Sequence, residues 1–290
     1  MKIRHYLYNA FIIESGDKKL AIDPGRNLWL FKLNSLIPPS EWADVTHVFT
    51  THGDPDHFDF AAKLVESSQA SVICHSELKH YFESKTTSPI ITLKAGETKP
   101  VDGVTVNGLK TKHGPLPVRI GGGLLFMRNE VLEKNHGGQE VYLLGKQIQR
   151  VDGPLEVYNH GTVKLFWGLL HLEKDNIEDF ARGVVGYQIK IGDKSIVNLG
   201  DTLLQEGWTD LKPDVLMLPI GGSIGNTMDV DQALEAVQKI KPKHVIPCHY
   251  NGSFLWKRNI NPADDMRFKA EVENAGIPCH IMRYGDEITI

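Results

Sequence analysis

The sequence predicts an α/β protein, a sheet-containing core covered by helices, with two related layers facing each other. Three observations predict it. Short β-type runs alternate with runs of helical periodicity. The alternation holds before residue 114, is lost, and resumes after residue 183. In both halves, strands end on side chains able to bind a metal, which sets two similar layers against each other.

The first half opens with strands from Ile3 to Tyr8, Phe11 to Glu14 and Leu20 to Asp23, separated by Asn, Gly and Asp turn residues. Val45 to Thr50 reads as a buried strand, and a helical pattern follows from Phe60 to Ser67. A strand from Ser71 to Cys74, a helix near Glu77 to Glu83, and strands near Ile90 to Leu93 and Val104 to Thr111 complete this half. In the second half, Val184 to Ile191 and Ser195 to Leu199 form a hairpin around Gly192-Asp193, and Asp214 to Leu218 is a buried strand. Val230, Leu234, Val237 and Ile240 have helical spacing, with Thr227 or Asp229 as N-cap. His244 to Cys248 is a strand, Pro262 to Ala275 a helix stopped by Gly276, and Cys279 to Met282 a closing strand.

Residues 114–183 fit this rhythm poorly. They carry Gly121-Gly122-Gly123, Gly137-Gly138 and three histidines, His136, His160 and His171. We read 1–290 as a single domain with an insertion at about 114–183, either a lid or partner surface or a loop without a role of its own. At 290 residues the chain is long enough to bury a sizeable core.

Composition excludes several classes. A formal charge of −4 gives no general attraction to nucleic acid or to an anionic membrane. No run approaches the roughly 20 apolar residues of a membrane span. The segment Met1-Lys2-Ile3-Arg4-His5 leads into a strand pattern rather than an apolar signal core. Three scattered cysteines (Cys74, Cys248, Cys279) fit a reducing compartment, so a cytoplasmic location is expected.

The chemistry is concentrated in Thr50-Thr51-His52-Gly53-Asp54-Pro55-Asp56-His57, where four potential metal ligands fall within six residues after an apolar strand. Imidazoles and carboxylates gathered on one Gly/Pro loop can hold a divalent metal open to solvent. Further ligand types recur at strand ends: His113 before Gly114-Pro115, Asp201 after Leu199-Gly200, and His249 after Pro247-Cys248. Singly, each has a bland reading as a solvated His or a turn Asp. As an ordered series they point to a metal centre.

The series resembles the metallo-β-lactamase superfamily, whose signature is a His-x-His-x-Asp-His loop followed by a His, a bridging Asp and a final His, each at a strand end. Asp23 in Ala21-Ile22-Asp23-Pro24-Gly25 matches the family's early, buttressing Asp. Gly200-Asp201-Thr202, Leu218-Pro219-Ile220-Gly221 and Val245 to Asn251 look most like the branch of ascorbate-6-phosphate lactonase and related metal-dependent hydrolases. The resemblance covers nearly the whole chain except 114–183. It implies an α/β (α+β) fold, a four-layer αββα sandwich of two facing mixed β-sheets flanked by helices. Carried over by position, His52, Asp54 and His113 would hold a first metal and Asp56, His57 and His249 a second, with Asp201 bridging. The implied cofactors are two divalent transition-metal ions, zinc or manganese, with iron a further option.

The implied activity is that of a metal-dependent hydrolase of lactonase or phosphodiesterase type. A metal-bridging hydroxide would cleave a small anionic ester, lactone or phosphodiester, with Asp56 orienting it or shuttling its proton and Asp201 bridging. Asp54 departs from the family pattern, which has His there. Three readings follow: an oxygen-rich first site that favours manganese or iron over zinc, a carboxylate too short to reach and a single metal, or a degenerate site. The corresponding alternative is a single-metal or catalytically silent binding protein that docks partners through 114–183. A nuclease is a further alternative, weakened by the acidic balance and by the lack of a basic run with interleaved aromatics. β-Lactam hydrolysis is not expected of a chain without a secretory segment. The expected partner is a small-molecule substrate rather than a membrane or nucleic acid, and a homo-oligomer is left open.

Lesser features have weaker claims. Cys248 should point away from His249 into the core. The run Gly221-Gly222-Ser223-Ile224-Gly225-Asn226 lacks phosphate-loop spacing and reads as an active-site loop. Tyr250 and Asn251 either contact substrate or pack behind the ligands. His5, His75, His80 and His244 have no partner at ligand spacing and read as structural or exposed.

Overall fold

The computed structural model describes residues 1–26, 34–114, 183–222, 227–250 and 263–290, together with short strand pairs within 119–148 and 253–259. Apart from its two end residues and two of these pairs, the expected insertion at about 114–183 lies outside the described residues. Ser223 to Asn226 and Asn251 also lie outside them.

The first strands are β1 (Lys2–His5), β2 (Phe11–Ser15), β3 (Lys18–Ile22), β4 (His47–Phe49), β5 (Ser71–Cys74) and β6 (Ile90–Thr92). They are followed by β7 (Thr98–Val101), β8 (Val104–Leu109), β9 (Gly186–Ile191), β10 (Lys194–Asn198), β11 (Val215–Pro219), β12 (His244–Cys248) and β13 (Glu287–Thr289). One mixed sheet runs β13-β1-β2-β3-β4-β5-β6 and the other runs β12-β11-β10-β9-β8-β7. Both sheets change from antiparallel to parallel pairing partway across, at β3/β4 and at β10/β11. Helices α1 (Pro55–Phe58), α2 (Ala61–Ser68) and α3 (Lys79–Glu83) belong to the first half; α4 (Val230–Ile240) and α5 (Asp265–Asn274) belong to the second.

Strand periodicity explains the layering. Alternate residues of a strand face opposite sides of its sheet. Phe11, Ile13, Leu20, Ile22, Phe49 and Ile73 thus meet Ile196, Val215, Met217 and Ile246 in a core between the sheets. Their neighbours Ile12, Ala21, Val48 and Val72 pack outward on Phe58, Leu64, Val65 and Phe82. On the far side, Val197, Leu216, Leu218 and Val245 pack on Ala233, Val237, Phe268 and Val272. The result is the expected four-layer αββα sandwich. Helix α4 starts on a capping box at Asp229, the second of the two N-caps that the sequence offers.

Four expectations change. The first strand stops at His5 instead of reaching Tyr8, because Tyr6 to Ala10 form a turn with Tyr8 at φ 55°. The closing strand at Cys279 to Met282 reduces to one bridge, Cys279 with Val245. Strand β7 goes unpredicted; it contains Pro100 and lies at a sheet edge, where a missing N–H is tolerated. Strand β13 goes unpredicted because it is three residues long, only one of them apolar. Among the described residues, no helix is long and apolar enough to cross a membrane.

Candidate metal centre

Every ligand-type residue in the series follows a strand and sits on the rim where the two sheets meet. His52, Asp54, Asp56 and His57 follow β4, and His113 follows β8. Asp201 follows β10 through Gly200, at φ 59°, and His249 follows β12 at φ 53°. A side chain at Gly200 would come within 2.6 Å of Thr51, so only glycine admits this approach. Asp54 is the N-cap of α1 with Pro55 behind it, yet its carboxylate makes no capping bond. It turns instead toward His52 and His113, with Oδ2 3.5 Å and 3.7 Å from their Nε2 atoms.

The rest of the cluster closes around Asp201. Its Oδ2 lies 3.6 Å from His57 Nε2, 3.7 Å from His113 Nε2 and 2.9 Å from His249 Nε2. Asp56 Oδ2 is 3.7 Å from His57 Nε2 and 3.8 Å from His249 Nε2. Ligand atoms held at about 2.1 Å on one tetrahedral ion sit ~3.4 Å apart, so these spacings fit metal coordination. Among the described residues, three overlapping groups converge closely enough to hold an ion: His52-Asp54-His113, Asp56-His57-His249 and His52-His57-Asp201.

The donor atoms are prepared for a cation. Asp23 Oδ2 accepts from His57 Nδ1 at 2.7 Å and from the Thr51 hydroxyl at 2.7 Å, while Oδ1 accepts from the Thr51 amide at 2.7 Å. With its proton given to Asp23, Thr51 Oγ1 can only accept from His52 Nδ1, 3.1 Å away. His113 Nδ1 donates to the carbonyl of Gly114 at 2.5 Å. All three rings therefore aim Nε2 into the cluster, where those buried atoms and Asp201 Oδ1 make no hydrogen bond. Asp23 thus orients His57 directly and His52 through Thr51, a role that metal-site carboxylates commonly fill.

Electrostatics agree. Burial opposes a charge on Asp201, but the positive His249 and His57 and contacts from His113 and His249 outweigh it, holding its pKa well below the usual carboxylate range. Burial likewise opposes a charge on His57, but Asp201, Asp56 and Asp23 prevail and push its pKa well up. His249 rises to about 9, burial again being outweighed, here by Asp201 and Asp56. The cluster attracts cations, and an arriving metal must displace protons.

The structure brings all seven expected ligand residues together, with Asp23 directly behind them. Tyr250 lies elsewhere: it packs into the core between the second sheet and its helices, near Asp265. Sequence reasoning missed Thr51, Asn9, Asn198 and Tyr8. The ring of Tyr8 lies 5.2 Å from that of His249, and its carbonyl accepts the His249 amide at 3.1 Å. Only Thr51 carried a signal, its place between a strand and a ligand.

Comparisons with known proteins point the same way. A model described as Metallo-beta-lactamase superfamily matches residues 5–137, and one described as Beta-lactamase superfamily domain matches residues 168–249. A UPF0173 metal-dependent hydrolase of Nanoarchaeum equitans is 40% identical over 294 residues, covering 100% of both chains. Another from Alkaliphilus metalliredigens is 29% identical over 252 residues, covering 87% of this chain and 86% of its own. Among solved structures, the metallo hydrolase Igni18 of Ignicoccus hospitalis superposes with a TM-score of 0.66 at 21% identity, covering 100% of this chain and 97% of its own.

Proposed function

The chain belongs to the UPF0173 metal-dependent hydrolases of the metallo-β-lactamase superfamily, and from that premise we propose that it is a two-metal hydrolase of small anionic esters, lactones or phosphodiesters. One observation carries the reading. Asp201 Oδ2 lies 3.7 Å from His113 Nε2 of one ligand group and 3.6 Å and 2.9 Å from His57 and His249 Nε2 of the other, so one carboxylate oxygen faces both groups. His52, Asp54 and His113 would hold one ion, Asp56, His57 and His249 the other, and Asp201 both. Two divalent ions in such a site supply Lewis acidity and a nucleophile at neutral pH.

The chain's residues do the rest. His52 and His57 would bind a metal through Nε2, their Nδ1 atoms fixed toward Thr51 and Asp23. Asp56, the most exposed of the carboxylates with 18% of its side chain accessible, can pass a proton between the centre and solvent. The contacts of Asp54 support its reading as a ligand, and an oxygen-rich first site favours manganese or iron relative to zinc. A cytoplasmic location remains part of this proposal.

Elemental analysis joined to a substrate screen tests it. Purified protein grown with metal supplements should carry close to two transition-metal ions per chain and hydrolyse a phosphodiester or lactone probe. Protein that takes up no metal would overturn the reading. Two bound ions with activity only on nucleic acid would support the nuclease alternative instead.

A further inference from the structure

We propose that Asn9 and Asn198 are positioning residues of the metal centre, a reciprocal amide pair that fixes how the N-terminal ligands meet Asp201. The inference rests on the metal-centre reading above. Asn9 lies in the turn between β1 and β2, and Asn198 ends β10 in the opposite sheet; both are fully buried. Asn9 Nδ2 donates to Asn198 Oδ1 at 2.9 Å, and Asn198 Nδ2 donates back to Asn9 Oδ1 at 2.9 Å. The pair crosses between the sheets, beside the apolar core that they share.

Both ends fix its orientation. The Asp23 carboxylate can only accept, so Asn9 must present Nδ2 to it, at 2.6 Å. The amide of Gly200 can only donate, so Asn198 must present Oδ1 to it, at 3.0 Å. The reciprocal pair satisfies both demands at once, and Cys248 Sγ adds a contact to Asn9 Oδ1 at 3.4 Å. At one end the pair thus grips the carboxylate that orients His57 and, through Thr51, His52. At the other, Asn198 grips Gly200, the residue preceding Asp201, while the Asn9 oxygen also takes the contact from Cys248, the residue preceding His249. Filling space would not require this, because an apolar pair of similar shape packs without desolvating two amides.

That comparison supplies the test. Asn9→Leu, Asn198→Leu and the double variant would be stripped of metal, melted, and titrated with Co(II) while the visible d–d absorption is recorded. Each single variant leaves a buried amide without its partner and should melt lower. The double variant removes both amides and should regain thermal stability relative to the singles. Its Co(II) affinity should nevertheless stay about 10–100-fold below that of the unsubstituted chain, with a shifted spectrum. Should the leucine variants fail to fold, Asn198→Ser keeps the measurement available. Wild-type affinity and spectrum in any folded variant would overturn the inference alone. An unsubstituted chain that takes up no Co(II) would overturn the two-metal reading and this inference together.

Discussion

Asp54 departs from the family's ligand pattern, yet its carboxylate lies within 3.7 Å of both imidazoles of its group. Asp54→Ala should reduce bound metal from two ions toward one, whereas Asp54→His should keep two and move preference from manganese toward zinc. Elemental analysis after growth in mixed metals measures both, and two retained ions in the alanine variant would refute ligation. A second residue-scale prediction concerns protons. The pKa of His249 is raised from 6.5 to about 9 in the folded, metal-free chain, so its contribution to stability is fully present below about pH 6.5 and lost as pH rises through about 9. Metal binding needs neutral His249 and should tighten over that same range. Urea unfolding of chelator-treated and metal-loaded protein should therefore diverge with rising pH; parallel curves would contradict the assignment. At this scale the ligands were legible because metal chemistry restricts residue types and the chain presents them in order. Asn9 and Asn198 were not, since a buried amide looks the same in sequence as a turn residue or an exposed strand end.

Elements place these residues through close backbone approaches, and there a single methyl group is decisive. A Cβ at Gly25, just after β3, would lie 2.1 Å from the backbone of Asp56 in α1. The Arg26 amide bonds to the Pro55 carbonyl at 2.9 Å, so the two segments cannot part without breaking that link. Gly25→Ala should cost about 1–3 kcal/mol as an overpacked site and lower metal content by displacing Asp56 and His57. Asp229→Ala, which removes the α4 cap far along the chain, should cost about 1 kcal/mol and leave metal content unchanged. Unfolding midpoints with elemental analysis separate the two, and a Gly25→Ala protein with full metal content would show that α1 can yield. Strands with a continuous apolar run, such as β2 and β10, were legible as elements because each buries opposite faces in different layers. Strands β7 and β13 were not, because edge strands bury less; β7 pairs with the adjacent β8, and β13 pairs with β1 at the other end of the chain.

At the scale of the molecule, the centre is assembled from both halves. His52 to His113 come before the segment 115–182, and Asp201 and His249 come after it. Local signals could place each ligand at a strand end, but not show that β10 and β12 in one sheet would meet the loop after β4 in the other. A metal held by these residues would stabilise contacts between the sheets. An ion that binds the folded chain alone adds about 2.7 kcal/mol per site when free metal is 100-fold above the dissociation constant. Chelation should thus lower the melting temperature, and the loss should depend on free metal concentration. The loss should also be larger in the unsubstituted chain than in Asp201→Asn, where one neutral amide replaces the carboxylate shared by both groups. Calorimetry at several buffered metal concentrations gives the dependence directly. A melting temperature independent of metal would mean that the two sheets hold the site open without help from an ion, and the view of the metal as a clasp between them would fail.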